Sequence, residues 1–252
     1  MNHKPNINSN LKIADNHIMF IRDIFEKNNY KIENSQLNAL GSYVAELLKW
    51  NQAINLISRK DTGKIWIQHI LSSISFLFMF EFRKNSTVLD IGTGGGLPGI
   101  PLSILCPELR FTLIDSIQKK IKAVQNIIEN TTLENVTTVC ARAEELSKNK
   151  KFQSKFDYVI ARSVAPAKKL LEWSKPFLVS QKDPSPAHES IITQRKVIPV
   201  GSIILLKGGN LQREIEKTRI EHRPRFIQIF PIAINGIEPT ELFEKKVIII
   251  QP

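Results

Sequence analysis

The sequence predicts an α/β fold: a seven-stranded, mostly parallel sheet that ends in an antiparallel hairpin, preceded by a helical segment. Three observations predict it. Apolar residues recur at helical spacing through the first third of the chain. From Thr87 onward, short β-branched runs alternate with amphipathic stretches, the pattern of strand–helix–strand units whose parallel strands are covered on both faces. The last two strand-like runs have only the Asn235-Gly236 turn signal and no helical stretch between them, so they should pair antiparallel.

Taken in order, residues 1 to about 15 are polar and expected to be flexible. Ile18, Ile21 and Phe25 mark a first amphipathic helix, and Leu37, Leu40, Val44, Leu47 and Leu48 a second, with Asn34-Ser35 as its possible cap. Ile67, Ile70, Leu71, Ile74, Leu77 and Phe78 predict a third helix. Residues 16–82 therefore read as a helical segment packed on the core, and residues 86–252 as the domain that carries the chemistry. Its strands are expected at Thr87 to Ile91, Phe111 to Ile114, Val136 to Cys140, Phe156 to Ala161, Ser202 to Leu206, Phe226 to Phe230 and Lys245 to Ile250. Helices are expected through Ile117, Ile121, Val124 and Ile128, and through Leu170, Leu171 and Trp173. Residues 181–199 read as a polar surface insertion.

Charge narrows the partners. Lys and Arg number 35 against 24 acidic residues, a formal charge of +11. Such an excess favours a polyanion, nucleic acid first, with a generally lysine-rich composition as the bland alternative. Cys106 and Cys140 have neither framework nor metal-ligand spacing, which predicts a reducing compartment, buried thiols and no metal. The N-terminus carries no secretory pattern, and the apolar run from Ile74 to Phe82 is interrupted by Ser75 and Glu81, short of the roughly 18 residues of a membrane span. A soluble cytoplasmic protein without membrane contact is expected, most simply a monomer.

The chemistry is expected at the end of the first strand. There the chain breaks into glycine and resumes as an apolar, helix-like stretch, Thr87 to Pro101. Gly94-Gly95-Gly96-Leu97-Pro98-Gly99 satisfies the G-x-G-x-x-G dinucleotide pattern, which alone is weak. The neighbours say more: Asp90, Gly92, Gly94 and Gly96 form D-x-G-x-G-x-G, which resembles the first motif of S-adenosylmethionine-dependent methyltransferases. The second strand ends in Asp115, where a carboxylate would hold a ribose hydroxyl pair; the alternative is that Asp115 caps the helix from Gln118. Ligands of parallel sheets bind beyond the carboxyl ends of the strands. That rule gathers Asp90 and the glycine loop, Asp115, Ala143-Glu144, Arg162 and Lys207 along one rim.

Further residues carry a more specific resemblance. They are Trp50-Asn51 with Asn55-Leu56, His69-Ile70-Leu71, Asp90 to Leu102, Leu113 to Ser116, Arg142 to Glu145, Phe156-Asp157, Ala161 to Ser163 and Leu206-Lys207-Gly208. From about residue 20 onward the chain resembles the bacterial small-subunit rRNA guanine-N7 methyltransferases, the RsmG or GidB family. The resemblance implies a Rossmann-like S-adenosylmethionine-dependent methyltransferase fold. It implies cofactor contacts at Gly92, Leu97, Ala143-Glu144 and Arg162, and a guanine of 16S rRNA near the decoding centre as substrate. Ser72 departs from the aspartate usual after His-Ile-Leu, and Ala143 stands where valine is common. Residues 181–199 are longer than the family leads one to expect, with an extra RNA contact through Arg195-Lys196 as the minor alternative.

Guanine N7 is a lone-pair acceptor at neutral pH, so methylation there needs placement rather than a general base. No acid–base pair is expected. Arg142, Arg162 and Lys207 are candidates to hold phosphate or the guanine O6/N7 edge, and the alternative for both arginines is ion pairing with Glu144, Glu145 or Asp157. Asn51, Asn55 and His69 could frame the same pocket, although an isolated histidine is more often a packed residue. The rivals are a methyltransferase acting on another RNA or a small molecule, a NAD-binding oxidoreductase, and an RNA-binding protein with a defunct site. An N-P-P-Y-type tetrad, which would point to adenine-N6 or glutamine, is absent after the fourth strand.

Overall fold

The computed structural model describes residues 7–180, 195–242 and 244–252, with 7–16 as main chain. Seven strands form one sheet: β1 (Thr87–Ile91), β2 (Arg110–Asp115), β3 (Val136–Cys140), β4 (Tyr158–Arg162), β5 (Ser202–Lys207), β6 (Phe226–Pro231) and β7 (Lys246–Gln251). Their spatial order is β3-β2-β1-β4-β5-β7-β6. The first five are parallel, and β7 runs antiparallel between β5 and β6. Ile91 stands opposite both Ile114 and Ala161, and Arg162 opposite Leu206. The carboxyl ends of β1 to β5 thus share one rim.

Burial follows from this order. Central β1 and β5 are buried along almost their whole length, as strands covered on both faces must be, whereas edge strand β6 exposes half of its residues and ends in Pro231. Side chains alternate between two cores. Val88, Phe111, Tyr158 and Ile204 face one that also holds Phe25, Tyr43 and Ile70 of the helical segment. Leu89, Val159, Ile203 and Ile248 face the other, beneath later helices.

Two long helices, α1 (Ile7–Lys27) and α2 (Asn34–Ala53), cover the first face together with α3 (Gly99–Leu105) and α4 (Gln118–Asn130). The short α5 (Ala143–Leu146) with α6 (Ala167–Ser174) and α7 (Gln212–His222) cover the second. The expected third helix is broken. Arg59–Lys64 is a 3-10 stretch, Trp66–Leu71 a π-turn, Ser72–Ile74 one α-turn and Ser75–Phe78 again 3-10. Ser72 and Ser75 donate their hydroxyls to the carbonyls of Gln68 (2.6 Å) and Ser72 (3.1 Å), local bonds that compete with a regular ladder.

Other expectations change too. α1 begins at Ile7, so residues 7–15, expected to be flexible, are helical, while 1–6 lie outside the described residues. Of the insertion, 181–194 lie outside them as well. Its end is structural rather than a free polar loop: Lys196–Val197 pairs in parallel with Phe80–Glu81. Arg195 donates to Leu77 O at 2.9 Å and lies 4.6 Å from the Tyr30 ring centroid, a packed position unlike the alternative of an RNA contact. Cys106 is buried but Cys140 is exposed, against the expectation for both thiols. Among the described residues no helix is long and apolar enough to cross a membrane.

Candidate active site

After β1 the chain turns through Gly92 (φ 69°), Gly94 (φ 59°) and Gly96 (φ 92°) before α3 begins at Gly99. Left-handed φ there suits glycine. Space demands it as well: a Cβ on Gly92 would stand 2.6 Å from Val164 Cγ2, and one on Gly96 2.4 Å from Ile100 Cδ1.

Asp90 braces this turn from within. It is fully buried, and its Oδ2 accepts from Thr93 Oγ1 (2.6 Å) and Gly99 N (3.0 Å), while Oδ1 has no partner among the described residues. Burial pushes its carboxyl up to about 7. Asp115 does two jobs. Its Oδ1 accepts from Ile117 N (2.9 Å), the cap-like role, and its Oδ2 accepts from Gly94 N (3.0 Å), which ties the end of β2 to the glycine turn.

The helical segment supports the turn from the other side. Buried Tyr43 donates its hydroxyl to Gly95 O at 2.9 Å, and Gln36 Nε2 donates to Ile104 O at 3.1 Å. Asn51 Oδ1 accepts from Leu56 N (2.8 Å) and Ile57 N (3.0 Å), shaping the bend that packs Leu56 against Gly95. Asn55 is exposed.

Above the carboxyl ends of β1 to β4 lies a cleft of about 360 Å³, bordered by Gly92, Asp115, Ile117, Ala143-Glu144 and Val164. Ile117 and Val164 are 46% and 37% exposed, and both give onto it. Arg142 stands exposed at its border with no ion pair among the described residues, so none of the carboxylates expected to pair with it holds it.

The remaining candidates lie around the cleft rather than in it. Leu97 is buried in the core shared with the helical segment. Arg162, at the end of β4, turns to that segment: its Nη2 is 2.9 Å from His69 Nδ1, and its Nη1 reaches the carbonyls of Gln68 and His69 at 3.5 Å. Because the guanidinium can only donate, Nδ1 accepts. Burial, then Arg162, pushes His69 down to about 4 against the pull of Asp61, whose Oδ2 lies 3.4 Å from His69 Nε2. Lys245 Nζ donates to Gln68 O at 2.8 Å and is pushed down to about 8 by burial and by Arg162.

Lys207 positions a loop. Its Nζ donates to Ala165 O (2.9 Å) and pairs with Glu214 Oε1 (2.7 Å), which also accepts from Ala167 N. The clamped loop carries Ser163, at φ 56°, and Val164 over Gly92. Sequence reasoning passed over Tyr43, Thr93, Gln68, Asp61 and Lys245. Only Tyr43 left a signal, a hydroxyl-bearing side chain between Leu40 and Val44 on an otherwise apolar stripe.

A parallel sheet whose last strand inserts antiparallel, with a glycine turn and a cleft at its carboxyl rim, defines the class as a Rossmann-like methyltransferase fold. Within it, the chain belongs to the GidB family, rRNA small subunit methyltransferase G, whose model matches residues 36–183. It is 35% identical over 244 residues to the ribosomal RNA small subunit methyltransferase G of Pelodictyon phaeoclathratiforme, an alignment covering 95% of this chain and 94% of that protein. The like-named protein of Chlorobium limicola is 36% identical over 235 residues, 91% and 94% of the two chains. That of Christiangramia forsetii is 41% identical over 175 residues, 69% and 74% of the two.

Proposed function

We propose that this protein transfers the methyl group of S-adenosylmethionine to N7 of one guanine in 16S rRNA of the small ribosomal subunit, acting as a cytoplasmic monomer. The observation that carries the reading is the cleft at the rim of β1 to β4, set in a chain of the rRNA small subunit methyltransferase G family.

The residues present fit the cofactor. Each Asp115 oxygen uses one lone pair on a main-chain amide and keeps another for a ribose hydroxyl. Ile117 and Val164 offer apolar walls to an adenine, and Ala143 and Glu144, the first residues of α5, have N–H groups without intrahelical acceptors for its edge. Gly92 lets the methionine part lie against bare main chain. Bound S-adenosylmethionine supplies a methyl group on a positively charged sulfur.

The chain's own task is placement. The N7 lone pair takes the methyl group and no proton leaves, so no base is needed. Ordered proximity alone is worth roughly 7–11 kcal/mol. His69, neutral and engaged with Arg162, serves as a brace. Arg142, exposed at the cleft border, is the residue best placed to meet phosphate or the guanine edge.

Methyl transfer from labelled S-adenosylmethionine to 16S rRNA, free and within 30S subunits, tests the proposal. Wild type is expected to label a single guanine N7, and Gly92→Asp to bind no cofactor, because its side chain would meet Val164 at a left-handed φ. Absence of label on either RNA form, with cofactor binding intact, would sink the rRNA assignment.

A further inference from the structure

A second cavity, of about 900 Å³, opens where β5 and β7 meet the rim, and the cofactor cleft shares none of its lining. The Gly209–Gln212 turn after β5 forms one side, and residues between Pro231 and Leu242 with Glu244 to Lys246 form the other. Leu211, Ile229, Ile232, Ile234 and Leu242 give it apolar walls. Gly209, in its lining, leaves open space where a side chain would stand.

Its lining carries two lysines and two glutamates, and the lysines are the more buried pair. Lys246 Nζ donates to the carbonyls of Gly209 (2.8 Å) and Glu244 (3.2 Å), and Lys245 Nζ to that of Gln68. Neither has a carboxylate partner among the described residues, and Glu238 and Glu244, which also border the cavity, are exposed to water. Lys64 pairs with Glu241 at 3.0 Å, which joins the Arg59–Lys64 stretch to the turn lining the cavity. Arg59 and Lys60, exposed on that stretch, have no ion pair among the described residues.

We propose that this cavity receives a nucleotide of the single-stranded acceptor RNA, its base against the aliphatic walls and its phosphates against Lys245, Lys246 and the Arg59–Lys64 stretch. The proposal rests on the rRNA reading above. Apolar surface beside Arg59, Lys60, Lys245 and Lys246, which make no ion pair among the described residues, suits a strand that carries one negative charge per nucleotide. Because both openings lie on one rim, a strand crossing the ends of β4 and β5 would offer neighbouring nucleotides to each.

Two variants test it: Ala233→Trp, an exposed cavity-lining position where an indole would fill the space, and Lys246→Glu. Filter binding of a 16S rRNA transcript across a salt series reads the RNA, and calorimetry with S-adenosylmethionine reads the cleft. Each variant is expected to weaken RNA binding about tenfold, a loss on the order of one nucleotide's contacts. Lys246→Glu should also flatten the slope of log affinity against log salt by about one. Cofactor affinity should stay at the wild-type value. Folded variants that bind the transcript with wild-type affinity and slope would overturn the proposal. If wild type binds RNA through the cavity but transfers no methyl group, the proposed activity falls and this site stands.

Discussion

Asp90 closes the glycine turn with a carboxyl that water does not reach. Its value of about 7 lies above that of an aspartate in an unfolded chain, near 3.9, so between these the folded protein holds a proton that the unfolded chain releases. Its contribution to stability is complete below about pH 4 and declines as pH rises to about 7. Asn in its place keeps an acceptor for Thr93 and Gly99 and does not titrate. The urea midpoint of Asp90→Asn should therefore gain on wild type from pH 4 to pH 8, and a constant difference would rule the buried proton out. The sequence singles out Asp90 but sets it among the cofactor contacts. Its actual position follows from strand alternation: two residues on from Val88, it shares Val88's face, under α3. Asp115 was easier to read, since either role assigned to it uses its place at a strand end.

At the scale of elements, the loop after β4 is held from a neighbouring strand and helix. Lys207 on β5 and Glu214 on α7 grip Ala165 and Ala167 and so hold Val164 over Gly92. A double-mutant cycle of Lys207→Met and Glu214→Gln, followed by urea denaturation, should return a coupling of about 1–3 kcal/mol, with weaker cofactor binding in Lys207→Met. Zero coupling would mean that the loop is held by other contacts. The Ile-Ile-Leu-Leu run before Lys207 made its rim position legible. Glu214 was not, because its pairing depends on how α7 packs beside α6, which no local pattern encodes. The same limit hides the break in the third helix, whose apolar spacing is regular while its serine hydroxyls, bonded to carbonyls behind them, are not read by periodicity.

Across the whole molecule, the helical segment and one face of the sheet share a single core, with Trp50 Nε1 also donating to Asn126 of α4 at 3.2 Å. One cooperative transition is expected, by tryptophan fluorescence and by far-ultraviolet dichroism alike. S-adenosylmethionine at a hundred times its Kd should add about 2.7 kcal/mol, raising Tm by roughly 5–10 °C. Transitions that separate by probe would show the helical segment unfolding alone. The antiparallel ending was legible from Asn235-Gly236, but the place of β7 was not, since a hairpin signal names a partner and says nothing of the strand on the other side. That place bears on synthesis. Until the ribosome has added Gln251, β5 shows a bare edge, β6 has no neighbour, and Lys245 and Lys246 have not reached the rim. A nascent chain can build its glycine turn early, yet the side proposed to meet RNA forms only once β7 has been made.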